Sequence, residues 1–175
     1  DARDRLTGLS QGSGEARRSL TLAYTEDGDV SAMTDPLGQA YVFTYDTLGR
    51  MTSATTPGDL AVNLGYDADG NLTSVTPPGR PEHRYTYDEM GNVSAYIPPD
   101  VEGSGTTATT YAYNKAQQLT QVNRPDGLEI DVGYDAAGRL KTLALPRGDL
   151  IYDYAGATGL LQSISAPDDV SLAYG

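Results

Sequence analysis

The sequence predicts an all-β fold in which repeated β-hairpins form a continuous, twisted antiparallel sheet. Three observations predict it: a tyrosine that recurs about every 21 residues, a glycine four residues after most of these tyrosines, and a proline near the end of each repeat. Together they describe a unit of strand, turn, strand and second turn. With two strands in each unit, we expect about sixteen antiparallel strands and almost no helix.

The recurring tyrosines mark the first strand of each unit. An apolar or aromatic side chain stands two residues before each of them, such as Phe43 before Tyr45, and this alternation is typical of a strand with one buried face. We expect these anchor tyrosines to occupy equivalent packing positions in neighbouring repeats. They are Tyr24, Tyr45, Tyr66, Tyr87, Tyr113, Tyr134, Tyr154 and Tyr174, at spacings of 21, 21, 21, 26, 21, 20 and 20 residues. Tyr41 and Tyr96 fall outside this register and are the candidates for an exposed tyrosine surface.

The turn after each anchor is predicted from aspartate and glycine. An aspartate such as Asp46 can accept hydrogen bonds from the backbone two residues on, which starts a type I turn. Glycine at the fourth position supplies a positive φ without steric cost. The predicted turn glycines are Gly28, Gly49, Gly70, Gly91 and Gly138. The Tyr113 repeat has asparagine but no glycine, so we expect its hairpin to survive with different geometry, and the late Gly159 indicates a one-residue turn insertion.

The second strand and second turn are less regular. Leu72 and Val75 are three residues apart, so either a β-bulge intervenes or both faces of the strand are partly covered. Proline cannot donate to a strand ladder, and it therefore ends each second strand. These prolines are Pro36, Pro57, Pro77, Pro98, Pro125, Pro146 and Pro167. The longest spacing between anchors contains Gly103-Ser104-Gly105, which predicts a surface loop.

Composition excludes several function classes. The net charge of −12 opposes binding to nucleic acid, and no apolar run is long enough to span a bilayer. Cysteine is absent and His83 is the only histidine, so the chain offers no evident set of nucleophile, base and acid. We therefore expect no enzymatic activity and no cofactor.

One segment has the spacing of a metal site. Asp67, Asp69 and Asn71 place oxygen ligands at alternate positions, as calcium loops do, but the later bidentate glutamate is missing. The segment also coincides with the repeat turn. It is a weak calcium candidate, and a structural turn is the favoured interpretation.

The repeat resembles a known family. Residues 43–52, which read Phe-Thr-Tyr-Asp-Thr-Leu-Gly-Arg-Met-Thr, and residues 85–93 are similar to the YD repeat of Rhs proteins, found in bacterial polymorphic toxins, the C components of insecticidal Tc complexes and animal teneurins. The resemblance covers residues 1–175 as a single array, with a half repeat at 1–20 and a partial unit at 174–175. It implies a β-sheet that spirals into a hollow shell. Asp35-Pro36 is similar to the family's self-cleavage segment, but it lies at an ordinary second turn, which is the interpretation we favour.

The function implied by this resemblance is structural. We expect a wall segment of a shell that encapsulates a toxin or cargo domain; the alternative is a cell-surface adhesion or carbohydrate-binding module built on the same repeats. The expected partners are the remaining YD repeats and a C-terminal toxin or cargo domain of a longer parent protein. Self-association through sheet edges is also expected, because no capping unit is evident at either end. The implied location is secreted or cell-surface, with delivery by a bacterial secretion system or toxin complex.

Overall fold

The chain folds almost entirely into β-strands. The structure, a computed structural model, describes residues 1–100, 108–168 and 170–174. Within these residues the one helix is a short 3-10 turn at Gly14–Ala16, and the strands number sixteen, as the repeat predicts. The strands are β1 (Gly8–Gln11), β2 (Arg18–Tyr24), β3 (Val30–Thr34), β4 (Ala40–Tyr45), β5 (Met51–Thr56), β6 (Leu60–Tyr66), β7 (Leu72–Thr76), β8 (His83–Tyr87), β9 (Val93–Ile97), β10 (Thr109–Tyr113), β11 (Leu119–Asn123), β12 (Glu129–Tyr134), β13 (Leu140–Leu145), β14 (Gly148–Tyr154), β15 (Leu161–Ser165) and β16 (Ser171–Ala173).

The strands belong to two compact units, residues 1–83 and 84–175. In the first unit each strand from β1 to β7 pairs antiparallel with the next. In the second unit, which begins at the second residue of β8, the same holds from β8 to β16. Strand order therefore follows chain order within each unit, and the predicted antiparallel, all-β fold class is confirmed. The predicted loop at Gly103-Ser104-Gly105 lies outside the described residues.

A β-bulge lies beside seven of the anchor tyrosines, from Tyr24 to Tyr154, in the hairpin to which each belongs. In the pairing of β6 with β7, Leu64 lies opposite Val75 and Tyr66 opposite Leu72, with a register shift before Tyr66. Leu64 and Tyr66 are two residues apart and share a face. The extra residue in β7 therefore brings Leu72 and Val75, which are three apart, onto that same face. Both alternatives left open by the sequence therefore hold, since the bulge is present and all five residues of β7 are half-buried.

The hydrophobic side of each unit is one face of its sheet. We call the face that carries the anchor tyrosines the anchor face. In β4 the half-buried Tyr41, Phe43 and Tyr45 lie on it and alternate with exposed residues such as Val42, which is 45% exposed. None of the described residues is fully buried. The side chains on the anchor face of each unit therefore cover one another only in part.

Tyr41 and Tyr96, the off-register candidates for an exposed tyrosine surface, are half-buried and lie on the anchor face beside the anchors, so they do not form a separate exposed surface. Tyr41 pairs opposite Met33, and Tyr96 pairs opposite Tyr85. Tyr41 precedes Tyr45 by an even number of residues in one strand, which places both on one side. Tyr96 returns to that side because of the bulge in β9.

Candidate functional site: contacts that join neighbouring repeats

The hydroxyl of the anchor tyrosine joins one hairpin to the preceding one. Tyr66 donates a hydrogen bond of 3.0 Å to the carbonyl oxygen of Met51, the first residue of the preceding second strand. The same bond joins Tyr24 to Leu6 (2.6 Å), Tyr45 to Val30 (2.9 Å), Tyr113 to Val93 (3.0 Å), Tyr134 to Leu119 (2.9 Å) and Tyr154 to Leu140 (2.8 Å). These six tyrosines and Tyr87 are half-buried, whereas Tyr174 is 52% exposed. Burial raises the pKa of Tyr45 above its usual value of 10.0, and the charge of Asp29 adds to this effect.

The turn after the anchor is held by its first residue. Asp46 Oδ1 accepts hydrogen bonds from the backbone N–H of Leu48 (2.9 Å) and Arg50 (3.0 Å), and the N–H of Gly49 donates to the Asp46 carbonyl (3.0 Å). The backbone N–H of Arg50, followed by its side chain and the N–H of Leu48, keeps the pKa of Asp46 below its usual value of 3.8. All the predicted turn glycines have the positive φ that this turn requires: Gly28 (110°), Gly49 (76°), Gly70 (94°), Gly91 (81°) and Gly138 (77°).

The turn that lacks glycine nevertheless keeps the same geometry, contrary to the prediction. Asn114 Oδ1 accepts from the N–H groups of Ala116 (2.9 Å) and Gln118 (3.0 Å), as Asp46 does in its own turn. Gln117 takes the left-handed position with φ of 60°. The side-chain bonds of Asn114 and the strand pairing on both sides hold Gln117 there despite its Cβ. In the Tyr154 repeat, the bond from Gly159 N–H to the Ala155 carbonyl (2.7 Å) closes a turn with one more residue, as expected.

An arginine clamp, which the sequence analysis missed, lies one residue after the turn residue of positive φ, which is Asp4, Gly49 or Gly138. Arg50 Nε donates to Asp46 Oδ2 (2.7 Å), Nη1 donates to the carbonyl of Asp67 in the next turn (2.9 Å), and the guanidinium lies 4.7 Å from the centre of the Tyr66 ring. Arg5 and Arg139 make the same three kinds of contact, at 4.3 Å from the rings of Tyr24 and Tyr154. The signal was present in the sequence as an arginine four residues after Asp1, Asp46 and Asp135.

Other repeats carry a shorter or neutral side chain in the clamp position. Asn71 and Asn92 turn their amides back to the aspartate of their own turn, at 3.0 Å in each case. The side-chain amide of Asn71 is the first cause of the lowered pKa of Asp67, and that of Asn92 the first cause for Asp88. Gln118 Nε2 instead reaches forward to the carbonyl of Gly138 (2.8 Å). A repeat with arginine at the clamp position therefore makes one more charged contact with the next repeat than a repeat with asparagine or glutamine does.

Comparison with known proteins agrees with this arrangement. The sequence model of the family described as Teneurin YD-shell matches residues 1–172. The chain belongs to the teneurin YD-shell family. None of the curated proteins compared with it matches its sequence significantly.

Solved structures resemble this YD-shell segment closely in fold. A crystal structure of TcdB2-TccC3-Cdc42 superposes with a TM-score of 0.72 at 15% identity, covering 91% of this chain and 10% of that chain. The Photorhabdus luminescens Tc holotoxin pore with a substituted TccC3 gives a TM-score of 0.71 at 15% identity, with the same coverage of 91% and 10%. TcdB2-TccC3 gives 0.66 at 16% identity, covering 93% and 11%. The chain spans about a tenth of the length of the structures it matches.

The two segments with chemical signals have the geometry of YD-repeat turns. Asp67 Oδ1 accepts from the backbone N–H of Asn71 (2.8 Å) and Oδ2 from its side-chain amide (3.0 Å), so both oxygens of the calcium candidate face N–H donors, and Asp69 is exposed. In the described parts of the chain no group of three or more His, Cys, Asp or Glu residues could hold a metal ion. Asp35 Oδ1 accepts from the N–H groups of Leu37 (2.8 Å) and Gln39 (2.9 Å), which makes the Asp35-Pro36 segment a second turn.

Proposed function

We propose that this chain is a wall segment, without catalytic activity, of an Rhs-type YD-repeat shell that encloses a toxin or other cargo domain of a longer protein. The observation that supports the proposal most is the set of contacts between repeats. Strand pairing and the tyrosine hydroxyl bond recur in the same register along the chain, and the arginine clamp recurs in three repeats. Because one repeat joins the next by the same kinds of contact, further repeats can extend the wall.

A closed wall made this way protects its contents in two ways. Each strand inside the array has both backbone edges paired, so the array presents few free edges to other chains. In β4 and β5 one face is aromatic and apolar, and the other carries the smaller side chains of Val42, Thr44 and Ser53, so the two faces suit two different environments.

The remaining parts of the proposal concern chemistry and location. The single His83 and the turn geometry of Asp67 and Asp35 support a wall without chemistry of its own. Across the described ranges, no helix is long and apolar enough to cross a membrane. We propose secretion as part of a toxin complex on the basis of the likeness to TccC3-containing structures.

The experiment that tests the shell is protease protection in the parent protein. Deleting residues 46–66 removes one 21-residue repeat in register, whereas deleting 46–56 removes a single strand, β5, and reverses the direction of pairing after it. We expect the domain after the array to resist protease in the parent and in the first variant, and to be cut in the second. Equal protection in both variants, or a parent in which no following domain is protected, would contradict the proposal.

The alternative, an adhesion or carbohydrate-binding module, depended on tyrosines exposed beyond the anchors. Tyr41 and Tyr96 lie on the anchor face together with the anchors. Both are half-buried there, so they do not form a second tyrosine surface on the opposite face of the sheet, and we prefer the shell.

A further inference from the structure

A cavity of about 470 Å³ lies on the anchor face of the second unit. It is lined by Tyr85, Val93, Tyr96, Tyr111, Tyr113 and Leu119. The first unit has a cavity of about 310 Å³ at the equivalent place, lined by Leu22, Val30, Met33, Phe43, Tyr45 and Met51. The two sets correspond one to one, because each residue has the same place relative to its anchor tyrosine and cross-strand partner. Where the first cavity has Leu22, Met33 and Phe43, the second has tyrosine.

These three replacements convert an apolar hollow into an open one lined by four tyrosines, which we call the cage. Tyr85 and Tyr96 form one wall, with ring centres 5.4 Å apart and planes inclined by 34°. Tyr111 and Tyr113 come from β10, the strand next to β9. Tyr113 directs its hydroxyl to the Val93 carbonyl, so its ring is fixed in place. The fold does not require this aromatic content, since the first unit forms the same hairpins with leucine and methionine.

The electrostatics of the cage favour a cation. Aromatic rings attract cations through their faces, and three anchor tyrosines of this chain already carry a guanidinium at 4.3 to 4.7 Å. The clamp position before Tyr113 is Asn92, whose amide donates to Asp88 at 3.0 Å. Burial, the charge of Asp88 and the neighbouring Tyr111 raise the pKa of Tyr113 above 10.0. The whole chain carries a net charge of −12.

We propose that this cage binds a quaternary ammonium group, as choline and other methylated amines carry. A guanidinium or a sugar needs hydrogen-bond partners for each of its polar groups, and the clamp arginines find theirs on aspartates and carbonyls. The cage lining has only phenol hydroxyls as polar side-chain groups. A quaternary ammonium has no N–H to satisfy and binds by contact with ring faces alone. This site goes beyond the wall function and does not depend on it.

The test compares choline with dimethylbutanol, in which carbon replaces the charged nitrogen at the same shape. Binding to the full chain is followed by calorimetry and by the upfield shift that ring faces impose on the methyl protons. We expect choline to bind about fivefold more tightly or better, in line with the energy of cation–π contacts. The double variant Tyr85→Leu, Tyr96→Met copies the residues of the first cavity and should lose this preference, with an unchanged far-ultraviolet circular dichroism spectrum.

A reciprocal variant keeps the proposal open to refutation if the first one misfolds. Leu22→Tyr with Met33→Tyr should create a second choline site of similar affinity in the first unit. A second experiment compares binding to phosphatidylcholine vesicles with binding to phosphatidylglycerol vesicles. It distinguishes an ammonium group on a lipid from one that is free in solution. Preference for the ammonium in either arm, lost in the double variant, supports the proposal. Equal binding of choline and dimethylbutanol together with no vesicle preference, or a preference that the double variant retains, overturns it.

Discussion

Replacing Tyr66 tests whether the anchor tyrosines hold neighbouring hairpins together. Tyr66→Phe removes only the hydroxyl that donates to the Met51 carbonyl, and the loss of one such bond costs about 1 kcal/mol. Tyr66→Ala also removes a half-buried ring and its contact with the Arg50 guanidinium at 4.7 Å. Complete burial would make the ring worth about 3 to 5 kcal/mol, and half of that is about 2. We therefore expect losses of about 1 kcal/mol for the first variant and about 3 kcal/mol for the second.

The assay is urea unfolding followed in parallel by circular dichroism and tyrosine fluorescence. The two transitions must coincide before a free energy of unfolding is taken from them, because repeat arrays can unfold in parts. Tyr174→Ala is the matched control: it is the same substitution at an anchor that is 52% exposed, and it should cost less than about 0.5 kcal/mol. Equal losses for Tyr66→Ala and Tyr174→Ala would refute the packing argument, and no loss for Tyr66→Phe would refute the role of the hydroxyl bond.

Four further predictions concern turns, charge and edges. Gln117→Gly should raise the free energy of unfolding by about 1 kcal/mol, since glycine adopts the observed φ of 60° without strain; an unchanged urea midpoint would contradict this. Asn92→Arg should add a clamp between Asp88 and the Tyr113 ring and stabilise by about 0.5 kcal/mol, measured as a higher melting temperature than that of Asn92→Gln. Stability should be constant near neutral pH and fall as the pH drops below about 3.8, because folding lowers the pKa of Asp46, Asp67, Asp88 and Asp135 and favours their charged form. Acid unfolding followed by circular dichroism measures this, and a stability that did not fall in acid would contradict it. Light scattering should show association through the free edges of β1 and β16 that grows with salt, since salt screens the charge of −12; a monomer at all salt concentrations would show that these edges are protected.

The turns could be predicted from the sequence because their chemistry is local. Asp46 bonds to the backbone of its own turn, and Gly49 supplies the positive φ three residues later. Nothing outside the turn is needed for either feature. The turn at Gln117 was predicted less well, since its left-handed φ is imposed by Asn114 and by strand pairing on both sides rather than preferred by glutamine.

The contacts between repeats were harder to predict because they depend on the register of neighbouring hairpins. The Arg50 guanidinium donates to the Asp67 carbonyl, 17 residues further along the chain. The bulge before Tyr66 determines which residues of β7 lie on the anchor face. A period-2 reading of β9 places Tyr96 on the wrong face, because one extra residue reverses every side chain beyond it. Long-range register therefore had to be seen in the structure, whereas strand and turn positions did not.

The same distinction explains how a chain 15% identical to TccC3-containing structures keeps their fold at a TM-score of 0.72. The residues that fix a repeat are few: the first residue of the turn, a residue that accepts positive φ, and the tyrosine that bonds to the hairpin before it. The other positions of the anchor face need only be apolar, because none of the described residues is buried tightly enough to demand one particular shape. Leu22 and Tyr85 occupy equivalent places for this reason. The first unit forms the same strand pairing with leucine and methionine at these positions, so the pairing does not require a cluster of tyrosines there, and binding at the cage is the explanation that the choline experiment puts to the test.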